Sequence, residues 1–133
     1  MTNYKIMKEE KGMEDLREQQ LEALTVLKEY NQKLTKSILL IVEELRGKRQ
    51  KDTDEFLKKI MEGINWEIQV YNGTKELINE NKVRVDKEEM NRHILAFGEA
   101  VQAKEDIKLA DSFEIDILPF LTKLGDAINE VVD

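Results

Sequence analysis

The chain has 133 residues, with 28 Asp plus Glu against 21 Lys plus Arg, a net charge of −7 and no cysteine. This length supports one hydrophobic core without disulfide or metal staples, and the acidic balance repels phosphate backbones and anionic lipid, so neither nucleic acid nor a membrane is an expected partner. Without cysteine there is no thiol catalysis and no Cys-based zinc site, and a reducing compartment, the cytoplasm, is the expected setting.

Residues 1–12 are polar, contain Gly12 and lack a helical stripe, so they are predicted to form a flexible tail ahead of a single domain over 13–133. Lys5, Lys8, Glu9, Glu10 and Lys11 leave no apolar run of signal-peptide length, and no export signal is expected. Tyr4, Ile6 and Met7 are the apolar residues of this segment and the ones able to dock on the rest.

Helix one is predicted over 13–46. Leu24, Leu27, Asn31, Leu34, Ile38, Ile41 and Leu45 recur at alternating spacings of three and four, which lines them up on one face of an α-helix. So long a helix needs other long helices beside it if its stripe is to leave water. Asn31 interrupts the stripe, as residues that fix register do. Gly47 is placed to end the helix in a left-handed conformation. The cations Arg46, Lys48, Arg49 and Lys51 then complement the negative end of the helix dipole rather than mark a phosphate site.

Helix two is predicted over 53–81, opened by Asp52 as a cap with Glu55 three residues later. Leu57, Ile60, Met61, Ile64, Ile68, Tyr71 and Ile78 make its main apolar face. Gly63, Trp66, Val70, Gly73 and Leu77 make a second stripe, nearly opposite at about 100° per residue. A central helix buried on both sides explains both stripes. Alternatively the second stripe is an exposed surface for a protein partner. Gly73 weakens the helix by about 1 kcal/mol relative to Ala and permits a local break.

After the extended link Val83 to Val85, Asp86 and Glu89 repeat the capping pattern and open helix three, predicted over 86–104 with Met90, Ile94, Phe97 and Val101 inward. The stripe loses phase near 102–105, which predicts a turn. It resumes through Ile107, Ala110, Ile117, Leu121, Leu124, Ile128 and Val131 in helix four, predicted over 106–132. Asp106 is one candidate cap for it and Asp111 with Glu114 another. Pro119 removes an amide donor and crowds the carbonyl of Ile115, so a kink is expected there. The fold class is therefore all-α, an antiparallel bundle of four main helices.

Candidate chemistry is sparse. A di-iron bundle needs two Glu-x-x-His pairs, and this chain has one histidine, His93, with Glu89 four residues before it and Glu88 five before it. Phosphotransfer bundles place Lys three and Gly four residues after an exposed histidine; here those positions hold Ala96 and Phe97, so His93 is only an alternative phosphoryl site. No phosphate loop or nucleophile elbow occurs. No enzymatic activity, cofactor, metal or small-molecule ligand is expected.

The segment from Leu109 to Leu121, with Asp111, Phe113, Pro119 and Phe120, resembles the closing helix of small, acidic, uncharacterised helical proteins of Gram-positive bacteria, some labelled chaperones. The resemblance covers about a tenth of the chain and implies a helical fold but no activity or site. The expected function is a non-catalytic protein-interaction module, adaptor or chaperone-like, using Gly63, Trp66, Val70, Gly73 and Leu77. A self-associating scaffold and phosphotransfer through His93 are the alternatives.

Overall fold

The computed structural model describes the backbone of residues 2–132 and the side chains of residues 12–132. α1 spans Thr2–Leu45, α2 Thr53–Ile78 and α3 Lys87–Ala103; α4, Asp106–Ser112, continues through a π-helical turn, Phe113–Ile117, into α5, Leu118–Val132. No strand occurs among the described residues, and the protein is an all-α bundle.

Helix α1 is the axis of the bundle. Its stripe is buried as the spacing predicts, with Leu24, Leu27, Leu34, Ile38, Ile41 and Leu45 in the core beside Asn31. α2 runs antiparallel along one side, with contacts stepping from Thr53 at Glu44 to Gly63 at Tyr30 and Gly73 at Gln20. α4 and α5 run antiparallel along another side, where Arg46 pairs with Asp111 and Asn31 Nδ2 donates to the carbonyl of Leu121 at 3.0 Å. The central helix is thus helix one and not helix two, because its stripe is wide enough to meet neighbours on two sides.

The expected tail over 1–12 is, for residues 2–12, the first part of α1. Lys5, Lys8, Glu9, Glu10 and Lys11 are good helix formers, and one glycine at position 12 is a modest helix penalty. The side chains of Tyr4, Ile6 and Met7 lie outside those described. Gly47 ends α1 as expected, at φ +118°. The basic cluster after it has a different role from the one expected: Arg46 holds Asp111 and Glu114, and Arg49 holds Asp54 and Asp106, which clamps the start of α4 to the end of α1.

Caps also divide. Asp86 accepts from the amides of Glu88 and Glu89, as the pattern predicts. Asp52 makes no side-chain cap; Thr53, fully buried, instead accepts from the amide of Gln50 at 2.7 Å and donates to Glu44 at 2.7 Å. The turn between the last two helices falls where the stripe loses phase, with Lys104 in the left-handed region at φ 54°. Glu105 precedes α4 without a side-chain cap, its carboxylate taking Lys108, and Asp106, the candidate cap, is instead the first residue of the helix and pairs with Arg49.

Pro119 sits at the second residue of α5. The π turn just before it sends the amide of Leu118 to the carbonyl of Phe113, five residues back. The wider turn accommodates a residue that has no amide to give. Ile107, expected in the buried stripe, is exposed, while Ala110 and Ile117 bury as expected and Leu109 and Phe113 bury beside them.

Candidate functional site

On α2 the buried residues are Thr53, Ile60, Gly63, Ile64, Glu67, Tyr71, Thr74, Leu77 and Ile78. At about 100° per residue the middle of that arc falls near Glu67, and the two apolar stripes are its flanks rather than two opposite faces. One flank meets α1. There Gly63 lies under Tyr30, whose hydroxyl occupies the space a Cβ would need. Trp66 is 37% exposed, its ring edge-on to Tyr30 at a centroid distance of 5.1 Å. Val70 is half-buried and Leu77 buried, whereas Gly73 is exposed and accepts from Gln20 Nε2 through its carbonyl at 3.1 Å. Gly63, Trp66, Val70, Gly73 and Leu77 therefore do not form one free surface, because α1 covers most of them.

The other flank is open. α3 is pinned away from α2, onto the α4–α5 side, by three contacts in register. Phe97 packs on Phe113 at 5.0 Å, His93 Nδ1 lies 2.9 Å from Asp116 Oδ1, and Glu89 takes the ammonium of Lys123, which holds its carboxyl below the usual carboxylate range. The link from α2 directs α3 there: Asn79 accepts from the amides of Arg84 and Val85, Asn81 turns at φ 70°, and Val85 is buried. Consequently α2 and α3 barely touch.

Between them lies a groove of about 320 Å³. Met61, Ile64 and Ile68 form one wall, Ile94, Phe97 and Val101 the other, with Ile117 of the π turn also lining it. Asn65 and Gln102 are the polar side chains on its rim, and Gly98 adds no side chain. From Met61 to Ile68 is 8 residues, roughly 12 Å at about 1.5 Å per residue, or two helical turns. The groove is concave and apolar, with few polar groups along it.

His93 is half-buried at the π turn. Ser112 Oγ donates to Asp116 Oδ2 at 2.7 Å, so serine and imidazole both address the same carboxylate and do not address each other. This is an orienting network, not a nucleophile with its base. The imidazole's Nε2 is 3.9 Å from Glu89 Oε1 and borders a hollow of about 10 Å³, the size of a single water. Among the described residues, no three His, Asp or Glu side chains converge to hold a metal ion.

The family model for a domain of unknown function, DUF8042, matches residues 22–127. The chain belongs to the DUF8042 family. No curated protein and no solved structure matches it. The DUF8042 match takes in the groove, Glu67 and the His93 network, and it begins beyond the part of α1 that precedes Glu22. Sequence reasoning placed Met61, Ile64, Ile68, Ile94, Phe97 and Val101 in the core; the groove between them was missed because spacing marks an apolar face without saying whether a neighbour covers it.

Proposed function

We propose that this DUF8042 protein is a non-catalytic interaction module, adaptor or chaperone-like, that receives an amphipathic helix of a partner protein in the α2/α3 groove. The observation that carries this reading is the groove itself: a two-turn apolar trough between helices each anchored elsewhere. An added helix would bury its stripe against Met61, Ile68, Ile94 and Val101, in the way helix-in-groove complexes do. The net charge of −7 favours a partner with basic residues beside that stripe. No described helix is long and apolar enough to cross a membrane, and a cytoplasmic setting is part of the same proposal.

The test uses a synthetic helix with a leucine stripe and lysine flanks, measured by fluorescence anisotropy. Saturable binding is expected, at least about tenfold weaker for Ile68→Glu and weaker for a glutamate-flanked helix. Equal binding by Ile68→Glu would remove the groove from the proposal. A dimer on size-exclusion chromatography that Ile68→Glu abolishes would favour the scaffold alternative. Phosphotransfer through His93 draws less support, since one ring nitrogen is engaged by Asp116 and the other faces the carboxylate of Glu89.

A further inference from the structure

The middle of the α1–α2 seam holds an acid with nothing to bond. Glu67 is 0% exposed, and neither of its carboxyl oxygens has a hydrogen-bond partner. One turn further along α2 the hydroxyl of Tyr71 is also buried, and the polar groups that face it are Asn79 and Asp86, not Glu67. From α1, Tyr30 is the titratable group that faces Glu67: its pKa is raised by burial and then by the Glu67 charge. From α5, Phe120 packs edge-on to Tyr71 at 6.5 Å, and Leu121 gives its carbonyl to Asn31, whose own Oδ1 is buried without a partner. Arg17 of α1 pairs with Glu80, two residues past the end of α2 and remote from Glu67.

An ionised carboxylate without a cation or donor is too costly to keep in such a place, so the packed seam holds the neutral acid. We infer that the α1–α2 seam is a proton-gated joint, closed while Glu67 is neutral and opened, by α2 moving off α1 until water reaches the carboxylate, when that proton is lost. Burial raises the Glu67 pKa from 4.5 to about 8. Burial also raises Tyr30 and Tyr71 above 10.0, so both stay neutral while Glu67 titrates. Tyr30 rests on Gly63, and Trp66 rests edge-on against Tyr30.

Trp66 is the chain's one tryptophan, adjacent to Glu67 and in contact with Tyr30 across the seam, so it reports the opening directly. Acrylamide quenching of Trp66 is measured from about pH 6 to about pH 9, with helical circular dichroism followed in parallel. As the 37% exposed ring becomes free, quenching is expected to rise about twofold with a midpoint near 8, while helicity holds. Glu67→Gln, which keeps the shape but not the titration, is expected to give a flat profile; Glu67→Leu gives the same readout should the glutamine variant fold poorly. A wild-type profile that coincides with that of either variant overturns the joint. Helicity lost in step with quenching also overturns it, because the whole bundle would then be unfolding.

Discussion

The two flanks of α2 invert the usual order of inside and outside. Toward α1 the helix buries a carboxylic acid at the midline of a closed seam; toward α3 it leaves Met61 and Ile68 half-buried beside an open trough. Burial here follows from where neighbouring helices are anchored, not from the apolarity of the residue alone. α1 reaches α2 along most of its length, whereas α3 is drawn onto Phe113, Asp116 and Lys123 and leaves its sequence neighbour uncovered.

The sharpest way to break this comparison is to truncate one isoleucine inside the buried arc of α2 and one beside the open groove. Ile60→Ala, fully packed, is expected to cost about 2–5 kcal/mol in urea denaturation, and Ile68→Ala, beside the groove, less than about 1.5 kcal/mol. Equal costs would mean that the groove is closed in solution.

Next in size is the pH dependence of the closed flank. The folded-state pKa of Glu67, about 8, lies above its unfolded value of 4.5, so the folded state binds the proton more tightly. Its stabilising contribution is therefore complete below the unfolded value and is lost as pH rises through that window, levelling off above about 8. Against Glu67→Gln, the wild type is expected to lose about 2–4 kcal/mol between about pH 5 and pH 9, read from urea midpoints. A constant difference between the two proteins would show that Glu67 is solvated.

Smaller again is the effect at the start of α3, which sets the far wall of the groove. Asp86→Ala removes the acceptor for the amides of Glu88 and Glu89 and is expected to cost about 1 kcal/mol. A loss nearer zero would show that water caps this end as well as Asp86 does.

Much of the bundle is legible in the residues because its signals are local. Spacing alone reveals the α1 face, and Gly47, Asp86 and the phase jump near Lys104 mark ends that the backbone respects. Asp52 misleads because it has the composition of a cap while Thr53, reached by Glu44 from α1, takes over that end. The second stripe of α2 misleads for a related reason: with Glu67 and Thr74 in the middle of the buried arc, polarity splits one face into two. The open groove and the π turn leave no mark in composition, since one depends on where α3 is anchored and the other on a shifted amide partner.

The π turn from Phe113 to Ile117 also makes the fourth helix a shaft whose two halves are keyed at a set angle. Ahead of it, Leu109 and Ala110 are buried; beyond it, Leu121, Leu124 and Ile128 are fully buried in the core around α1. The turn takes up one residue more than an α-helical turn, so straightening it with every residue kept would rotate everything downstream by about 100° relative to everything upstream. Leu121 and Leu124 would swing off α1. In most proteins the positions least tolerant of a changed length are buried strands, and loops absorb the rest. Here a helix interior carries a length code, and the angular setting of α5 on α1 depends on it.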